Sequence, residues 1–143
     1  MFTLDDAITL AKRAHDGQLD KSGRPYIGHP LRVMKRVSGE HARMVAVLHD
    51  VIEDTWVTAD HLIEAGCPPE VVRAVVALSK QPGESQPDYL ARVAANPLAT
   101  LVKRADIADN SSPARLARLD EPTRNRLRDK YVTALQILDG LTA

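Results

Sequence analysis

The stretch from Glu40 to Glu53 constrains this chain more than any other. Met44, Val45, Val47, Leu48, Val51 and Ile52 make it apolar over most of a helical circumference. A helix of that kind belongs at the centre of a fold. Yet its C-terminal end reads His49-Asp50-Val51-Ile52-Glu53-Asp54. At about 100° per residue, the imidazole and three carboxylates occupy an arc of roughly 140°. Carboxylates there face the negative pole of the helix dipole. Burying them unpaired is costly. A bound cation removes both penalties.

The rest of the chain keeps the helical period. Thr3 is placed to cap a helix carrying Leu4, Ala7, Ile8, Ala11 and Ala14 on one face, ended by Gly17. A loop runs from Gln18 to Gly28, and Pro30 opens a helix bearing Leu31, Val33, Met34 and Val37. Thr58 is set to cap a short helix that stops near Gly66, and Pro68-Pro69-Glu70 leads into another from Val71 to Leu78. Gln81 to Pro87 reads as a loop, and Asp88 to Ala94 as a short helix. Asn96 caps the next, with Leu98, Leu101, Val102 and Ala105 on one face, and Ser111-Ser112-Pro113 breaks it. Pro122 opens a last helix to about Leu138. No segment joins alternation to hairpin turn residues. The expected class is all-α, a bundle of about eight helices forming one domain over residues 1–143.

Charge and composition narrow the function. With 19 basic and 19 acidic residues the formal charge is zero, so no nucleic-acid or membrane surface is expected. A neutral protein can still carry a basic pocket for a small anion. Aromatic residues are only 3%, which leaves Leu, Val, Ile and Ala to fill the core. Cys67 is the lone cysteine and excludes both an internal disulfide and a thiolate metal site. No run approaches the roughly 18 apolar residues of a membrane helix. The start, Met1-Phe2-Thr3-Leu4-Asp5-Asp6, lacks the basic and apolar regions of a signal peptide. A cytoplasmic protein is expected.

Two further groups can converge on the His49 cluster. His29 immediately precedes Pro30, and Asp106 shares a helical face with Asn110. Imidazoles with carboxylates form the mixed set that suits manganese, iron, zinc or nickel. In order along the chain stand His15-Asp16-Gly17-Gln18, then Lys21-Ser22-Gly23-Arg24-Pro25-Tyr26-Ile27-Gly28-His29-Pro30. His49-Asp50-Val51-Ile52-Glu53-Asp54-Thr55 follows, then Val102-Lys103-Arg104-Ala105-Asp106 with Asn110. This set resembles the HD superfamily, and more closely the hydrolase domain of RelA/SpoT-type enzymes and small stand-alone alarmone hydrolases. The resemblance runs from about Leu4 to Leu138.

The resemblance implies a metal-dependent phosphohydrolase. His29, His49, Asp50 and Asp106 would hold one divalent ion, usually Mn2+, and Glu53 and Asp54 would be the catalytic pair. The implied substrate is a nucleotide, guanosine tetra- or pentaphosphate (ppGpp, the alarmone of the stringent response), which loses pyrophosphate from its ribose 3′ position. The resemblance places Lys21, Ser22, Arg24, Tyr26, Lys103 and Asn110 around it. Lys21 would neutralise phosphate charge, and Asn110 would hold the ribose or a phosphate oxygen. Members usually carry Arg-Lys where this chain has Asp20-Lys21, and that arginine lies against the base. Asp20 has no planar cation to stack. Recognition is therefore expected to rest on phosphates and ribose, with Arg24 as a candidate replacement, and an arginine restored at position 20 is expected to favour guanosine. Two other functions stay open: a phosphatase for another nucleotide or dinucleotide, and a nucleotide-sensing module without turnover.

Other polar residues have plainer readings. His15 is read as structural, His41 and His61 as solvent-facing, and Cys67 as a small buried apolar group. Trp56 is read as packing or as pocket wall. The run Arg115, Arg118, Arg124, Arg126, Arg128 and Lys130 is interspersed with Asp120, Glu121 and Asp129, and reads as solvated helix surface.

Overall fold

Apolar residues at helical spacing yield ten helices in the computed structural model, which describes residues 1–142. They are α1 (Leu4–Ala14), α2 (Gly28–Lys35), α3 (Glu40–Leu48), α4 (Val51–Asp54) and α5 (Ala59–Glu64). Then come α6 (Pro69–Leu78), α7 (Gln86–Ala94), α8 (Pro97–Asn110), α9 (Pro113–Leu116) and α10 (Glu121–Thr142). Among the described residues there is no strand, only an isolated antiparallel bridge between Leu19 and Pro25. The all-α expectation holds, and the two four-residue helices, α4 and α9, add to the expected set.

α3 is the central post of the bundle. Its Ala42, Met44, Val45, Ala46, Val47 and Leu48 are buried, and it packs against α1, α2, α6 and α8. Those neighbours contribute Ala7 and Ala11, Val33, Val71, Val75 and Leu78, and Val102. Each fully buried leucine or valine is worth about 1.5–3 kcal/mol over leaving it in water, so this stripe holds α3 in place. α10 covers α7 and α8 with Leu127, Ala134 and Leu138. The Thr3 and Thr58 side chains accept the amides of Asp6 and His61 in reciprocal capping boxes, and Asn96 caps α8.

α3 does not run on to Glu53. It stops at Leu48, and Asp50 turns the chain with φ −103° and ψ −2° before α4 begins. His49 is the cause. Its ring Nδ1 donates to the Ala46 carbonyl at 2.6 Å, taking the acceptor that the Asp50 amide would use in a continuous helix. The loop between α1 and α2 is a small hairpin. The Asp20 amide donates to the Arg24 carbonyl at 2.7 Å, and the Tyr26 amide to Gln18 at 2.8 Å. Its tip needs φ +83° at Gly23, a conformation open to glycine at little cost. No helix among the described residues is long and apolar enough to cross a membrane.

Candidate active site

Three helices meet around two histidines. His29 comes from the first turn of α2, His49 from the end of α3, and Asp106 from the middle of α8. Both rings are buried. His29 Nε2 lies 2.8 Å from Asp106 Oδ1 and 3.9 Å from Asp50 Oδ2. His49 Nε2 lies 3.1 Å from Asp50 Oδ2 and 3.3 Å from Asp106 Oδ1. In the tightest set, His29, His49 and Asp50, every donor atom is within 4.8 Å of the others. Asp106 joins it through its contacts with both Nε2 atoms.

Proton positions decide what can sit between these groups. The Ala46 carbonyl can only accept, so His49 carries a proton on Nδ1. His29 Nδ1 donates in the same way to Asp109 Oδ2 at 2.7 Å. Both Nε2 atoms therefore turn their lone pairs toward carboxylate oxygens. Acceptors at these distances repel unless a proton or a metal cation sits among them. The electrostatics agree. Burial pushes His49 toward its neutral form, but the Asp50 and Asp106 carboxylates outweigh it and hold its pKa well above the ordinary value. Burial likewise opposes ionisation of Asp106, yet Lys103 and the imidazoles keep its pKa well below the carboxylate range. A potential that retains a proton on an imidazole also retains a divalent cation, so the residues fit one.

The surrounding groups lock these four side chains. Lys103 Nζ donates to Asp106 Oδ2 at 3.1 Å, and Asn110 Nδ2 donates to Oδ1 at 3.0 Å. The Tyr26 hydroxyl donates to Asp50 Oδ2. The four groups open onto a cleft of about 460 Å³, a volume suited to a nucleotide-sized ligand. Lys21, Ser22, Tyr26, His29, His49, Asp50, Glu53, Asp54, Lys103, Asp106 and Asn110 all line it, and Arg24 does not. Glu53 Oε1 accepts the Lys80 amide at 2.6 Å. Desolvation in the cleft, with Asp50 and Glu53 beside it, pushes Asp54 up to about 6.

The structure moves several residues from the places the sequence implied. Asp20 does not stand over the cleft as a bare charge. Its Oδ1 accepts from the Ser22 amide (2.9 Å), the Ser22 hydroxyl (2.8 Å) and the Arg24 amide (3.0 Å). Arg115 and Lys130, read as solvated surface, line the cleft instead. Arg115 Nη1 donates to Asn110 Oδ1 at 2.6 Å and to Asp109 Oδ2 at 3.2 Å. The only sequence hint was the helix-breaking Pro113, which turns α9 back toward the site. Asp109 has no sequence signal beyond its place one helical turn past Asp106. Trp56 is 61% exposed, against His61 and away from the cleft. His15 pairs with Gln18 Oε1 at 2.8 Å, in keeping with a structural role.

The pattern of the HD domain matches residues 7–107, which include all four converging groups. The chain belongs to the HD domain family. A Haemophilus influenzae protein named guanosine-3′,5′-bis(diphosphate) 3′-pyrophosphohydrolase is 43% identical over 77 residues, 50% of this chain and 11% of the relative. An Aquifex aeolicus protein of the same name is 30% identical over 115 residues, 73% of this chain and 16% of the relative. This HD chain thus spans a small fraction of the curated relatives it matches. A solved structure described as a metazoan ortholog of SpoT that hydrolyzes ppGpp superposes with a TM-score of 0.74 at 22% identity. That match covers 96% of this chain and 92% of the other, and it shows a shared HD fold.

Proposed function

We propose that this chain, as one domain, is a metal-dependent phosphohydrolase that removes pyrophosphate from the ribose 3′ position of a (p)ppGpp-like nucleotide. The observation that carries the reading is the convergence of two Nε2 lone pairs with Asp50 and Asp106 at the floor of a cleft. His29, His49, Asp50 and Asp106 would hold one divalent ion, with Mn2+ as the metal of this proposal. When bound, such an ion polarises phosphate oxygens and lowers the pKa of water. The names of the bacterial relatives support the substrate class.

The chain's own residues supply the rest. Water oxygen bonds to the phosphorus attached to O3′, the P–O3′ bond breaks, and O3′ gains a proton. Pyrophosphate and a 3′-hydroxyl are the products. Asp54, with its pKa near 6, suits proton exchange close to neutral pH. Glu53, fixed by the Lys80 amide, orients the water. Lys21, Lys80 and Lys130 line the cleft and answer the charge of a polyphosphate. Asn110 is held between Asp106 and Arg115, at the edge where a ribose or phosphate oxygen would lie. A cytoplasmic setting belongs to the same proposal.

Asp20 spends Oδ1 on its own turn, turns Oδ2 toward Arg115 Nη2 at 3.9 Å and offers no cationic plane to a base. The test is a release assay with Mn2+ on guanosine and adenosine 3′-diphosphate 5′-diphosphates, following phosphate and pyrophosphate separately. Pyrophosphate release that stops on chelation is expected. Release of orthophosphate alone would favour a phosphatase for another nucleotide, and binding without release a sensor.

A further inference from the structure

The proposed metal site explains what His29 Nε2 faces but not what stands behind the ring. Asp109 does, with a side chain 3% exposed and outside the cleft lining. It cannot touch a substrate. A buried carboxylate is a poor way to stabilise a core, because desolvation offsets most of what its partners return. Here it gathers three cationic or proton-donating groups. His29 Nδ1 is at 2.7 Å, Arg32 Nε at 3.0 Å from Oδ1, and Arg115 Nη1 at 3.2 Å.

The arrangement is directional. Asp106 and Asp109 sit one turn apart on α8 and grip the two nitrogens of the same ring, at 2.8 Å and 2.7 Å. His29 and Arg32, one turn apart on α2, answer them. Arg115 Nη1 also lies 3.0 Å from His29 Nδ1. While Asp109 is ionised, it claims the proton on Nδ1 and leaves the lone pair on Nε2. If the carboxylate were lost, the guanidinium would donate to Nδ1 and drive the ring proton onto Nε2, closing the ligand face.

We propose that Asp109 is the positioning residue that fixes His29 in its metal-binding tautomer, against Arg115, which favours the opposite one. Resting on the metal site proposed above, this assigns an opposed pair of residues to one ligand. Partners behind a ligating imidazole commonly carry 10–100-fold of metal affinity.

The experiment titrates Mn2+ alone into the substrate-free full chain and reads free Mn2+ by electron paramagnetic resonance. Asp109→Ala is expected to weaken binding by about 10–100-fold. The chelated variant should still melt cooperatively. Asp109→Ala combined with Arg115→Leu is expected to recover part of the loss, because the competing donor is gone. A packing defect would instead be deepened by the second change. Asp109→Asn keeps the shape if the alanine variant does not fold, and should also lose about tenfold, since one acceptor becomes a donor. His29→Ala is the control. If it loses metal while Asp109→Ala or, failing that, Asp109→Asn binds within threefold of wild type, the positioning role is overturned. A double variant weaker than the single one overturns it too. If His29→Ala itself binds normally, the metal site is at fault instead.

Discussion

Replacing Asp20 with alanine should open the hairpin between α1 and α2 without disturbing the bundle. One carboxylate oxygen holds three donors there: the Ser22 amide, the Ser22 hydroxyl and the Arg24 amide. Burial alone would raise the Asp20 pKa, but these hydrogen bonds from Arg24 and Ser22 bring it below the ordinary carboxylate value. The Asp20 side chain is only 7% exposed, but Arg24 lies exposed, so each bond contributes in the lower half of about 0.5–1.5 kcal/mol. The turn should then lose about 2 kcal/mol, or roughly 30-fold in its closing equilibrium. Hydrogen exchange at the Tyr26 amide is the cleanest probe. That amide bonds to the Gln18 carbonyl at 2.8 Å and never touches the Asp20 side chain. Its protection should fall by about that factor, and KM for the nucleotide should rise, because Lys21 and Ser22 ride on the same turn. Asp20→Arg opens the turn equally, so it should lower kcat/KM for guanosine and adenosine substrates alike, reversing the gain the sequence implies. Unchanged Tyr26 protection in Asp20→Ala would refute the reasoning.

Three other outcomes are expected. Glu53→Gln and Asp54→Asn should keep fold and Mn2+ binding while turnover falls by about 10²-fold or more; near-normal kcat in both would remove their assigned role. In chelated protein, burial raises the Asp109 pKa, but its bonds from His29 and Arg32 prevail and bring it from 3.8 to about 2. Its stabilising effect is present above the unfolded value near 3.8 and lost as pH falls toward 2. The difference in Tm between wild type and Asp109→Asn should therefore shrink over that window, and a constant difference would count against it. Leu48→Ala, at a fully buried position of α3, should cost about 2–5 kcal/mol in denaturant unfolding, and a loss below 1 kcal/mol would deny α3 its central place.

What could be read from the sequence was what depends on local period and chemistry. Met44 to Leu48 announced a buried helix, Thr3, Thr58 and Asn96 announced its neighbours' starts, and the acidic stretch after Leu48 pointed to a place for a cation. The rest depends on side chains meeting backbone or distant partners. The break after Leu48 comes from a ring bonding to a carbonyl three residues back, which no periodicity records. Asp20 looked like a lost contact because its partners, Ser22 and Arg24, appear only once the loop closes. Arg115 sits among charges of both signs, and its bonds to Asp109 and Asn110, which set it apart, appear only once α9 packs beside α8.

Long stretches of chain separate the proposed ligands. His29 and Asp106 meet across 77 residues, and His49 and Asp106 across 57. No fragment ending before α8 holds the full set, so a bound metal would report on a fold that has reached α8. During synthesis the site comes into being after most of the bundle has emerged. An ion that binds native chains alone adds about 2.7 kcal/mol of stability when present at about one hundred times its Kd. Melting temperature then becomes a measure of metal supply: at about one hundred times its Kd the proposed ion would raise the folded-to-unfolded ratio about a hundredfold.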